Sequence, residues 1–140
     1  MSEPPEETRL SRQWLEKAEG DLSSAGYLLT LPDAQCRFDV ICFHAQQCAE
    51  KALKAFLVLR KIPFERIHDL GELLELCGVD QDLVRELDEI DLLTPYAVES
   101  RYPGDWEPFD RCKAEEAVAL AQKTHEAIAK RLKGGGVDAR

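Results

Sequence analysis

A chain of 140 residues, 44% hydrophobic and 32% charged, carries enough apolar material for one folded core. Its formal net charge of −9 excludes non-specific binding along a nucleic-acid duplex, which demands a broad basic surface, so any nucleic-acid contact is local. The apolar stretches are short and broken by charge, and the acidic N-terminus lacks a signal-peptide pattern, so a cytoplasmic protein with no membrane partner is expected.

From about Arg9 to Thr30, Leu10, Trp14, Ala18, Leu22, Ala25 and Leu29 recur every three or four positions and predict a first helix. After Pro32 and Asp33, a second pattern runs through Phe38, Ile41, Ala45, Ala49, Ala52, Phe56 and Leu57 and must stop before Pro63. Asp69 followed by Glu72 has the form of a capping box and opens a short third helix that ends at Gly78. A further helical stretch runs from Gln81 through Leu83, Leu87, Ile90 and Leu93, with acidic residues outward.

Ser100 to Pro108, holding Pro103 and Gly104, is a loop. A last helix from Asp110 to Lys133 turns Ala114, Ala117, Val118, Ala121, Ile128 and Leu132 inward. No strand alternation is present, and the expectation is an all-α, antiparallel, up-down bundle of four to five helices. Residues 1–8 read as a flexible N-terminus, 9–133 as the bundle and 134–140 as a disordered tail.

No phosphate-cradling glycine loop, HExxH or nucleophile elbow is present, and no cofactor is implied. The five cysteines form no CxxC pair, and an i, i+6 spacing does not aim Cys36, Cys42 and Cys48 at one point. Buried reduced thiols and no metal are expected.

Three weaker signals remain. In the run Phe43 to Lys54, polar His44, Gln46, Gln47 and Glu50 alternate around a helix whose other side is apolar; His44 either donates to a neighbouring helix or faces a partner subunit. Arg60, Lys61, Arg66 and His68, with Lys51 and Lys54, form the one locally basic part of the chain, suited to a phosphate or to offsetting a helix dipole. Arg101 and Tyr102 stand before Pro103 in the loop from Tyr96 to Trp106, where they can grip a phosphate and stack a base, or merely cap the bundle.

Taken together, Trp14 to Glu19 with Asp21-Leu22, Phe43 to Leu53, His68-Asp69-Leu70, and Tyr96 with Ser100-Arg101-Tyr102-Pro103 resemble the HEPN family over about residues 10 to 132. The resemblance implies a helical bundle that commonly forms a homodimer, works beside a minimal nucleotidyltransferase in a toxin-antitoxin-like system, and binds a nucleotide or RNA. It also implies an alternative, a metal-independent ribonuclease toxin in which an arginine and a histidine with four to six residues between them meet across a dimer. Arg60 and His68 have seven residues between them and Arg101 has no histidine close behind, whereas Arg37 and His44 fit the spacing, but in the second-helix segment.

No tyrosine stands where some toxin members receive a nucleotide, which puts adenylylation in doubt. His68, Arg101, Tyr102, Lys51, Lys54 and Arg60 are the expected ligand-binding residues, with His44, His68 and Arg37 as candidates for catalysis. A purely structural interaction module is the third reading.

Overall fold

A computed structural model describes residues 4–97 and 109–134 of the chain. Among them there is no strand. Three long helices, α1 (Glu6–Leu28), α2 (Phe38–Leu59) and α5 (Arg111–Gly134), form the body, with short α3 (Leu70–Leu76) and α4 (Gln81–Glu86) between them. A 3-10 turn at Asp33–Gln35 joins α1 to α2, and a 3-10 stretch at Ile90–Ala97 follows α4.

The expected all-α bundle is present, and its α1–α2 seam is built from small residues. The buried line of α1 is Ser11, Ala18 and Ala25, seven residues apart, and it faces the alanines of α2. Small side chains bring the backbones close enough for the Ser11 hydroxyl to donate to the Ala55 carbonyl at 2.7 Å. Leu10, expected on the inward stripe, is 38% exposed instead, because Ser11 takes the seam. The helix also begins at Glu6, so residues 6–8 extend it beyond the expected start at Arg9.

The pairing of Ser11 with Ala55, and of Asp21 with His44 and Lys51, makes α1 antiparallel to α2. Helix α5 runs alongside α2 in the same direction: Arg111 lies over Phe38, and the Cys48 thiol donates to the Ala121 carbonyl. The segment from Asp80 to Tyr96 supplies the antiparallel return, starting at the Arg131 end and finishing where Tyr96 meets Phe109.

Helix α2 ends before Pro63 as expected, in a Schellman arrangement: Ile62 N–H donates to Leu57 C=O at 2.9 Å and Lys61 N–H to Val58 C=O at 3.1 Å. Lys61 occupies the left-handed position usually given to glycine, with φ 58°. The stretch expected as one helix from Gln81 to Leu93 is divided, α-helical to Glu86 and 3-10 from Ile90. Leu83, Leu87, Ile90 and Leu93 are all buried nonetheless. Three-residue steps from Leu87 to Ile90 to Leu93 align on one face at the 3-10 period, so the inward face survives the change of helix type.

Arg111 closes the start of α5 against the α1–α2 connection. Its guanidinium donates to Asp33 at 2.7 Å and to the carbonyls of Leu29 and Leu31, each at 2.8 Å, while lying over the Phe38 ring. These carbonyls lie past the end of α1 and would otherwise depend on water. Arg111→Met keeps the aliphatic stem and removes the donors; thermal unfolding is expected to begin a few degrees lower than in the parent.

Candidate functional site

The polar residues of α2 sort into two adjacent stripes. Gln46, Glu50 and Lys54, four residues apart, share one; His44, Gln47 and Lys51 share the next. The first stripe is inside the protein. Gln46 is 0%, Glu50 5% and Lys54 6% exposed, so their polar atoms must satisfy one another.

They do so around the Glu50 carboxylate. One oxygen accepts from the Gln46 amide at 3.0 Å; the other accepts from the Lys54 ammonium at 2.8 Å and contacts Nδ1 of His68 at 2.9 Å. Gln47 in turn donates to the Gln46 amide oxygen at 2.7 Å. Burial pushes the Glu50 carboxyl up, but the hydrogen bonds from Lys54, Gln46 and His68 outweigh it and hold the group below the usual carboxylate range. Glu50 is therefore an anion, and a ring nitrogen facing an anion carries the proton.

His68 itself projects outward, its side chain 64% exposed. Its backbone is fixed from the following residues. Asp69 caps α3 by accepting from Glu72 N–H at 2.9 Å, as the Asp69/Glu72 spacing predicts. Thr94 and Asp91 accept from the N–H groups of Leu70 and Gly71. An imidazole pinned at Nδ1 by a buried carboxylate leaves Nε2 free to take a proton when neutral, or to donate to a phosphate oxygen when charged.

A second imidazole is held in the same way on the neighbouring stripe. His44 Nδ1 meets Asp21 of α1 at 2.9 Å, and Lys51 donates to the other oxygen of Asp21 at 2.7 Å. Aromatic rings complete the first cluster: the Lys54 nitrogen lies 5.7 Å from the centre of the Trp14 ring and 5.6 Å from that of Phe64. Those two rings pack edge-on.

Of the residues expected from sequence to bind a ligand, Lys51, Lys54 and His68 meet this pair of networks. The Lys54 charge is spent on Glu50 and that of Lys51 on Asp21. Arg60 lies elsewhere, over the Phe56 ring in a cleft shared with Asp80, Lys130 and Arg131. Arg37 is at the start of α2, exposed and bound to Asp39, so it and His44 engage different carboxylates. Arg101 and Tyr102 lie outside the described residues.

Glu50, Asp21 and Trp14 were not among the expected site residues. The signal for Glu50 was present in sequence: a carboxylate within the alanine-containing run Ala49 to Ala52, four residues from both Gln46 and Lys54.

Cys42, Cys48 and Cys77 are buried, and burial pushes each thiol up to about 12, which keeps them protonated. Cys36 is buried as well, but Cys112 is exposed, so the expectation of buried thiols fits four of the five. Cys112 lies on the outward side of α5 beside Glu116. Among the described residues, no group of three His, Cys, Asp or Glu side chains is placed to hold a metal ion. No helix among them is long and apolar enough to cross a membrane.

The arrangement has relatives. A crystal structure described as an archaeal HEPN homologue superposes with a TM-score of 0.67 at 25% identity, covering 87% of this chain and 97% of that one. A crystal structure of a protein from Thermus thermophilus gives a TM-score of 0.64 at 32% identity, covering 86% of this chain and 96% of that one. No curated protein matches the chain. The family model described as the HEPN domain matches residues 11–132, which takes in nearly all of α1, the polar stripes of α2, His68 and nearly all of α5. By that match, the chain belongs to the HEPN family.

Proposed function

We propose that this protein is a phosphate-recognising HEPN module that binds a nucleotide or the end of an RNA at His68, as a homodimer and as the partner of a minimal nucleotidyltransferase. The observation that carries the reading is the contact of His68 Nδ1 with the buried Glu50 carboxylate at 2.9 Å, with the imidazole 64% exposed. A histidine that only filled space would not need an internal anion to aim it. Gln46, Lys54 and the α3 cap keep that anion and the His68 backbone in place.

Titration of the purified chain with 5′-AMP and with a 5′-phosphorylated RNA oligonucleotide tests this. His68→Ala is expected to weaken both about tenfold or more, the effect of one charge-assisted hydrogen bond. Unchanged affinity in His68→Ala, or no binding by the parent, rejects the reading. The solution mass of the same preparation gives the oligomeric state, and capture of a nucleotidyltransferase checks the partner.

The carboxylate-held imidazole also favours a second reading, a metal-independent ribonuclease with His68 as the proton-transfer group. Incubation with RNA in EDTA separates the two, since only the second produces fragments that disappear in His68→Ala.

A further inference from the structure

The surface of α1 carries a groove of about 130 Å³ lined by Leu10, Gln13, Trp14 and Lys17. Sites that enclose a whole small-molecule ligand are several times larger, so a groove of this size holds one group of a larger molecule. Leu10 is 38% exposed and Trp14 is only partly buried, so apolar surface stays open there. Gln13 and Lys17 set an amide and an ammonium at the margin of that surface.

Trp14 links the groove to the polar cluster. The Trp14 ring lies 5.7 Å from the Lys54 nitrogen, Lys54 is 2.8 Å from Glu50, and Glu50 is 2.9 Å from His68. Those three steps laid end to end set the greatest separation of the indole centre from Nδ1 of His68, a span on the scale of a single nucleotide. Phe64 packs edge-on against Trp14 and braces it from the loop that leads to His68. The indole is thus fixed by Lys54 and Phe64 while part of it remains uncovered.

We infer that Trp14 is the base-stacking platform of the site, with the nucleobase lying in the Leu10–Trp14–Lys17 groove while the phosphate of the same nucleotide reaches His68. The inference rests on the phosphate-binding reading above and extends it to the base. Stacking on an indole is tolerant of base identity, and the Gln13 amide at the rim can both donate to and accept from a base edge, while the Lys17 ammonium can only donate. The ligand class is therefore a nucleotide, rather than a sugar phosphate or inorganic phosphate.

Comparison of 5′-AMP with ribose 5-phosphate isolates the base. Trp14→Leu is expected to weaken 5′-AMP about tenfold and to leave ribose 5-phosphate unchanged, whereas His68→Ala weakens both. Because Trp14 also packs against Phe64, a second measurement avoids altering it: in Trp106→Phe, 5′-AMP is expected to quench the remaining Trp14 fluorescence and ribose 5-phosphate is not.

Equal loss of both probes in Trp14→Leu, or no quenching by bound 5′-AMP, overturns the platform while the phosphate reading stands. Failure of both probes to bind the parent protein removes the phosphate reading, and the platform with it. A change from dimer to monomer in Trp14→Leu, with 5′-AMP affinity kept, identifies the groove as a subunit contact and also overturns the proposal.

Discussion

Glu50→Gln is expected to lower the stability of the protein by about 3–5 kcal/mol, read as a shift of the urea midpoint without a change in slope. The cause is Lys54. Its ammonium is 2.8 Å from the carboxylate and the residue is 6% exposed, so the amide would leave a cation inside the protein with no counter-charge. An exposed lysine–glutamate pair at the same spacing contributes a few tenths of a kcal/mol, so the size of the effect reports the burial directly. A Glu50→Gln protein as stable as its parent would mean that water reaches the pair.

The pH dependence has a fixed sign. The Glu50 carboxyl in the folded protein is held below the ordinary value of 4.5, so its contribution is fully present above that pH and disappears as the pH falls through the folded value. Parent and Glu50→Gln should therefore differ most near neutrality and converge in acid. Replacing the pair together, Glu50→Leu with Lys54→Met, should recover much of the stability, because two apolar side chains do not strand a charge. The same double variant removes the group that aims His68, so nucleotide affinity should stay low. Stability recovered without affinity would separate the role of Glu50 in the fold from its role at the site.

What was legible in the sequence follows from how local each cause is. The period of apolar residues in α1, α2 and α5, and the cap at Asp69, depend on neighbours a few residues away and were readable. The seam on Ser11 in place of Leu10 was not, because a three-to-four-residue pattern cannot distinguish the centre of a helix face from its edge. The clasp of Arg111 on Leu29, Leu31 and Asp33 joins positions about eighty residues apart, and nothing local announces it. Glu50 stands out in sequence only by its place in the polar run of α2, four residues from both Gln46 and Lys54. Only tertiary packing, which buries it beside Lys54 and brings His68 to 2.9 Å, makes it an internal anion and hence the group that orients His68.

Phe56→Ala is expected to cost about 3–5 kcal/mol, toward the lower end of that range. The ring is 1% exposed and among the largest fully buried side chains. It also lines the cleft of about 460 Å³ that holds Arg60, Asp80, Lys130 and Arg131. Water can follow a shortened side chain into an existing cleft, so the void is less costly than one sealed in the core. Arg60, whose guanidinium lies 5.6 Å from the ring centre, supplies the contrast.

If the ring acts by packing, Arg60→Ala should cost no more than about 1 kcal/mol, the value of an exposed cation–π contact. Because Arg60 sits beside Asp80 and Lys130 rather than Glu50, its loss should also leave 5′-AMP affinity at the parent value. A large loss of affinity in Arg60→Ala would instead join the cleft to the His68 site, and a basic surface read from sequence as one patch would have to be one after all.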